Sequence, residues 1–347
     1  MNKYVFVNFF LLASMLCFTK VRAGEIATGR EHTCTIVSGA AKCWGLNKYG
    51  QLGNNSKTDS LIPVQVEGLE KGGTSISAGY GHTCAILSRA VKCWGANWNR
   101  QLGNNSETDS PAPVQVEGLE EGVTAISAGV AHTCAIVSGA AKCWGWNEHG
   151  QLGNNTTADS GIPVQVEGLE EGVTAISAGK VHTCAVVNGA AKCWGWNEYG
   201  QLGNNSTANS PVPVQVEGLE EGVAAISAGS SHLQHSHTCA VVNGALKCWG
   251  WNEDGRLGNN STANSPVPVQ VEGLEEGVTA ISTGAGQTCA VVNGAVKCWG
   301  GETPNNIVLM LFGTFLYGSF VIAFQPWTWL SHFWYPFPRP TPPVPKV

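Results

Sequence analysis

Histidine, threonine and cysteine recur together along this chain. His-Thr-Cys begins at His32, His82, His132, His182 and His237, and a Cys-Trp-Gly follows each at constant distance. The thiols therefore come in pairs nine apart: Cys34 with Cys43, Cys84 with Cys93, Cys134 with Cys143, Cys184 with Cys193, Cys239 with Cys248, and Cys289 with Cys298. An imidazole with two thiols is a ligand set that zinc takes. Two thiols alone can be bridged, or can stay reduced as small apolar core residues. Against zinc stand the missing C-x2-C knuckle and Gln287, which replaces the histidine in the sixth copy. No unit adds an acid-base pair, a nucleophile beside a base, or a GxxxxGK phosphate loop. Five histidines at equivalent places point to a shared structural job, capping backbone groups where a strand enters its sheet. The expectation is a protein without catalysis, cofactor or bound metal.

The elements that must position these residues are short strands. Self-alignment gives a period of 50 residues, broken by a five-residue insertion before His237. Repeats of that length are stacked supersecondary units. Within 163–197, Pro163 to Val166 reads as a brief edge strand and Val173 to Ser177 as a second. Thr183 to Val187 and Ala190 to Trp194 follow, joined by Asn188-Gly189, which favours a type I′ hairpin. Counting outward from that turn, pairs alternate, and Cys184 faces Cys193 at a non-hydrogen-bonded site with Cα atoms about 4.5 Å apart. A disulfide accepts that spacing. The same count holds for all six pairs, so cross-strand bridges are favoured over free thiols or metal. Each would contribute roughly 2.5–3 kcal/mol for a ten-residue loop.

Composition narrows the class. Charged residues make up 13 % of the 347, glycine numbers 44, and the formal net charge is −6. That suits a turn-rich all-β chain. No Lys/Arg cluster supplies the footprint of a nucleic-acid binder. At the start, Lys3, the apolar run Tyr4 to Phe18 and Val21-Arg22-Ala23 read as a signal peptide over residues 1–23. Its removal takes Cys17 and leaves twelve of the thirteen cysteines. An even count in an exported chain points to disulfides.

The recurring Ala-Gly-x-x-His-Thr-Cys, Cys-Trp-Gly and Gly-Gln-Leu-Gly-Asn-Asn resemble the regulator of chromosome condensation (RCC1) repeat family over roughly residues 26–300. The resemblance implies an all-β propeller of four-stranded blades. About six blades are expected, or an incomplete seven. The opening copy reads as lacking its first two strands, and the last lacks Gly-Gln-Leu-Gly-Asn-Asn. Family analogy also implies guanine-nucleotide exchange on a small GTPase as an alternative function. The signal peptide, the absence of a basic arm and a spacing too uniform for a long inserted wedge depart from that role.

Positions that differ between near-identical units mark candidate contacts. After Trp-Gly these are Tyr49, Trp98, Arg100, His149 and Tyr199; before His-Thr-Cys they are Tyr80 and Lys180. Tyr, Trp and Arg dominate interface energies, which predicts a non-catalytic scaffold binding an unidentified protein through propeller-face loops. The other reading is a purely structural surface repeat in which Trp146, Trp196 and Trp251 pack between blades. Sequons at Asn54, Asn104, Asn154, Asn204 and Asn259 are candidate glycosylation sites. The repeats are assigned to 24–302, an apolar membrane-spanning segment to 303–324, and an aromatic, Pro-rich tail to 325–347. An apolar tail buried against the protein is the competing reading. Arg339, Pro342 and Pro345 stand in the order that SH3 domains read. Together these place the chain outside the cell, secreted or held at the surface by a single span.

Overall fold

The computed structural model describes residues 26–229, 235–284 and 286–301; the expected signal peptide, membrane segment and tail lie outside them. Among the described residues, short antiparallel strands form six separate sheets and no helix appears. The third sheet is typical. Val123–Ala128, His132–Val137, Ala140–Gly145 and Ser160–Gln165 are hydrogen-bonded in that order. The first strands of successive sheets lie beside one another, so they are the inner strands of a β-propeller and the fourth strands form its rim. Blades one to five have four strands. Blade six has three, Val278–Thr283, Thr288–Val292 and Ala295–Trp299.

The blade boundary differs from the one expected. The sequence spacing groups Pro163 to Val166 with the hairpin that follows it. It runs over Ser160–Gln165 and pairs instead with the hairpin before it, placing Gln165 opposite Lys142 and Val164 opposite Cys143. Gly161, Ile162 and Pro163 fall in the irregular stretch before Ser160 regains the register opposite Gly145. Proline is tolerated there because a rim strand has no further neighbour. With this phase the opening blade is complete, since Ile26–Thr28 supplies its inner strand, and the shortfall moves to blade six.

The hairpins follow the count. Cys184 faces Cys193, and all six pairs are disulfides with Cα atoms 4.0–4.1 Å apart. Both turn residues take positive φ, Asn188 at 50° and Gly189 at 83°. Ser88 and Arg89 hold the same shape at 51° and 71° without a glycine.

The bridges of blades one to five lie on the blade face that meets the next blade. Between blades two and three, Cys84, Cys93, Leu102, Val116 and Leu119 pack against Val123, Ala135 and Trp144. The approach at Gly103 is tight: a Cβ there would stand 2.7 Å from Trp144 Nε1, and φ is +70°. Trp144 donates through Nε1 to the Gln101 carbonyl (2.9 Å), which also accepts from Thr133 Oγ1 (3.0 Å). Since the threonine proton is used there, His82 Nε2, 3.0 Å from Thr133 Oγ1, must be the donor.

The same relay recurs at five junctions, with His32, His132, His182 and His237 reaching Thr83, Thr183, Thr238 and Thr288. The expected backbone-capping role is therefore replaced by a bond between blades; a side chain was needed to span that gap. Every one of these rings is buried, and its Nδ1 has no hydrogen-bond partner among the described residues. Burial pushes the imidazoles down, to about 4 for His32 and His132 and about 3 for His82, His182 and His237.

Thr133→Val keeps the shape but leaves His82 Nε2 and one lone pair of the Gln101 carbonyl unmatched. It is expected to cost about 1–3 kcal/mol, read as a lower urea midpoint with an unchanged slope. Equal midpoints for the two proteins would refute the relay's contribution.

Candidate functional site

The loop after Trp-Gly is built around one buried asparagine per blade. Asn147 Oδ1 accepts from the Leu152 amide (2.9 Å), and its Nδ2 donates to the carbonyls of Thr156 and Ala158 (both 3.0 Å). Its own amide donates to Asp159 Oδ1 at 2.7 Å. Asn47, Asn97, Asn197 and Asn252 do the same work, each fully buried. These residues were not singled out from the sequence, although their constant place two after the glycine was a usable signal. They hold the flanking residues in a fixed stance.

Those flanking side chains form a ladder of rings across neighbouring blades. His149 lies edge-on to Trp146 of its own blade (5.2 Å between centroids) and 6.1 Å from Trp196 of the next. Trp196 meets Tyr199 at 5.5 Å, Tyr199 meets His235 at 5.4 Å, and His235 stacks on Trp251 at 4.4 Å. The Arg256 guanidinium covers the Trp251 ring at 4.0 Å. Tyr49 and Trp98 make a separate edge-to-face pair at 4.7 Å. Such pairs fix ring orientation beyond what area burial does. Trp196 and Trp251 are buried, as the packing reading expected, but Trp146, its third member, is half-buried; Trp98 remains 43 % exposed and His149 and Tyr199 are half-buried.

Arg256 was missed by sequence reasoning, and His235 stood out only as part of the insertion before His237. Arg256 replaces the glutamine of the other repeats, so its guanidinium meets three groups at once. It donates to the His235 carbonyl (2.9 Å) and to Asp254 (2.7 Å) and lies against Trp251. The end of the insertion is thereby tied to the ladder.

The loops before His-Thr-Cys supply the other candidates. Arg30 covers the Tyr80 ring at 4.6 Å. Lys180 is pushed down by burial and then by the charge of Arg30, although the two belong to blades one and four. These loops thus converge on the propeller axis.

Arg100 is engaged elsewhere. It occupies a place held by glycine in four other blades, at φ +61°, and bonds Glu107 through Nε at 2.9 Å. Gly50, Gly150 and Gly200 face Pro111, Pro211 and Pro266 of the next rim strand, but opposite Arg100 the proline is replaced by Gly161. The larger residue is matched by a smaller one.

The sequon residues Asn54, Asn104, Asn154, Asn204 and Asn259 are half-buried, each accepting through Oδ1 from the loop asparagine at 3.2 Å. Among the described residues no group of three His, Cys, Asp or Glu side chains is gathered as a metal would require, and no helix is long and apolar enough to cross a membrane.

The regulator of chromosome condensation (RCC1) repeat model matches residues 39–86, 91–136, 139–186, 188–233 and 243–291. No curated protein sequence matches the chain. Among solved structures, human WBSCR16 superposes with a TM-score of 0.69 at 22 % identity, covering 82 % of this chain and 77 % of that one. Yeast RCC1 (Prp20) bound to Kap60 gives 0.67 at 20 %, covering 79 % and 69 %. Prp20p from Saccharomyces cerevisiae gives 0.64 at 20 %, covering 75 % and 66 %. At these identities the neighbours speak to the fold, and the five matched repeats, which span more than half the sequence, speak to descent: the chain belongs to the RCC1 repeat family.

Proposed function

We propose that this propeller is a non-catalytic scaffold that binds a partner protein outside the cytosol through the loop face carrying Tyr49, Tyr80, Trp98, His149, Lys180 and Tyr199. The observation that carries the reading is the ring ladder, which presents part-exposed aromatic groups already fixed in orientation by their neighbours. Preorganised aromatic side chains lose little entropy on binding and supply most hot-spot energy. Six disulfides support an oxidising compartment. Protein recognition is also what the neighbours' names record, Kap60 for yeast RCC1 and Gsp1p and histones for Prp20p.

The test is cross-linking on intact cells with the unmodified protein and a Tyr80→Ala, Trp98→Ala, Tyr199→Ala variant. Affinity for the partner captured by the first should fall by roughly a thousandfold with the triple variant, the loss of two hot-spot contacts of about 2 kcal/mol each, while the thermal midpoint stays close. Equal capture would sink the aromatic face as the binding surface. Nucleotide exchange is the second reading, suggested by Gsp1p binding in the yeast neighbour. Accelerated guanine-nucleotide release from a small GTPase would replace the scaffold reading.

A further inference from the structure

The sixth blade shows what a blade looks like before its rim strand arrives. In blades one to five that strand is Ser60–Gln65, Ser110–Gln115, Ser160–Gln165, Ser210–Gln215 or Ser265–Gln270, always with Gln opposite Lys, Val opposite Cys and Ser opposite Gly. The bonds repeat as well. In all five the valine after the strand donates its amide to the residue two before the second cysteine, as Val271 does to Leu246 (3.0 Å), and in all but blade two the glutamine Nε2 donates to the same carbonyl, as Gln270 does (3.1 Å). The corresponding place in blade six is Val296, on a strand whose outer edge pairs with no strand among the described residues.

The neighbouring blade shows the same difference among the described residues. Asn205 donates its amide to the Pro266 carbonyl of the next rim strand, and Gly200 packs on that proline. At the equivalent Gly255 a Cβ would meet no atom of the described residues within 4 Å. Two hollows mark the place: one of about 440 Å³ bounded by Leu274, Lys297, Cys298 and Trp299, and one of about 570 Å³ bounded by Gly255, Asn260 and Thr262. Cys298 and Trp299 are half-buried where Cys143 and Trp144 are fully buried.

We infer that this edge is a second interaction site, which takes an extended, uncharged segment of a partner protein as the fourth strand of blade six. The partner segment carries Pro-Val-Gln-Val, because that is what fills the seat in all five complete blades. In blade five Val269 lies opposite Cys248 and covers the disulfide. Gln270 Nε2 donates to the Leu246 carbonyl of the receiving strand (3.1 Å) and to the Val271 and Leu274 carbonyls of its own segment (both 3.0 Å). Pro266, two residues before the Pro-Val-Gln-Val, meets the preceding loop at Gly200. Residues 302–347 contain no such sequence, and in a second copy the five Pro-Val-Gln-Val strands are already committed within blades. Strand addition of this kind draws affinity from backbone bonds and selectivity from alternate side chains.

The test uses the full chain and a fluorescent peptide with the sequence of residues 265–274, Ser-Pro-Val-Pro-Val-Gln-Val-Glu-Gly-Leu. Saturable binding is expected, with slowed hydrogen exchange at the Val296 and Cys298 amides. A peptide with Gln and the final Val changed to Ala and Lys should bind at least roughly tenfold more weakly. The Val296 amide points away from the hairpin, toward the vacant side, so Val296→Pro should leave the hairpin ladder intact and abolish binding. The Tyr80, Trp98 and Tyr199 changes should leave it untouched, which separates this site from the ring face. Absence of saturable binding to the full chain, or exchange protection missing at those two amides, would overturn the inference; so would binding that Val296→Pro does not alter.

Discussion

Lowering the pH from 7.5 to 5 is expected to destabilise this protein by several kcal/mol. The cause is the set of five buried junction histidines, whose pKa values burial depresses to about 3 or 4 from an ordinary 6.5. For His82 the neighbouring rings of His32 and His132 add to that effect, and for His237 the Arg256 charge does. A depressed folded-state pKa means that the unfolded chain binds protons first. Stability is therefore complete above pH 6.5, falls as the pH drops through that value, and levels off only below about 3 to 4. At pH 5 the linkage amounts to about 2 kcal/mol per imidazole, on a total that is about 5–15 kcal/mol for a typical domain. Urea titrations at pH 7.5 and 5 read this directly. The control is His182→Gln, the residue that blade six already carries at Gln287, which should remove about one fifth of the pH dependence. A midpoint that does not move between the two pH values would refute the neutral relay.

Reduction should have a still larger effect. Each bridge closes a loop with a sequence separation of nine, and loop-closure entropy puts its contribution at about 2.7 kcal/mol. All six together reach on the order of 15 kcal/mol if they add, as much as the stability of an ordinary domain. Removal of one bridge through Cys184→Ala with Cys193→Ala should cost about 2–3 kcal/mol. Full reduction, verified by a mass gain of two hydrogens per bridge, should unfold the array at temperatures where the oxidised protein is intact. Unchanged melting after verified reduction would show that the apolar junctions alone suffice.

Much of this was legible because near-copies average out local ambiguity. The Asn188-Gly189 turn and the nine-residue spacing determined which cysteines oppose each other, since a two-residue hairpin leaves a single register. The phase of the repeat was not legible. A strand such as Ser160–Gln165 lies between two hairpins in sequence, and nothing local says which one it joins; the choice is made by Gln165 bonding the Ala141 and Leu169 carbonyls. The histidines were recognised as structural, but their partner was hidden, because Thr183 belongs to another blade than His132 and only the packing brings them together. On the candidate face, aromatic type singled out Tyr199 and His149, whereas His235 acquired its place from an insertion that matches no other copy.

Every junction uses the same atoms in the same direction, a histidine handing a proton bond forward and a glutamine or arginine carbonyl receiving it from the following threonine. The molecule is therefore built like a sentence of interchangeable words. Excising 129–178 would bring His82 against Thr183 in place of Thr133, a contact of the same kind, and the one mismatch left behind would be Arg100, which would face Pro211 in place of Gly161. Gene recombination between such coding stretches can lengthen or shorten the protein by whole blades, so size in this lineage is free to vary in steps of fifty residues.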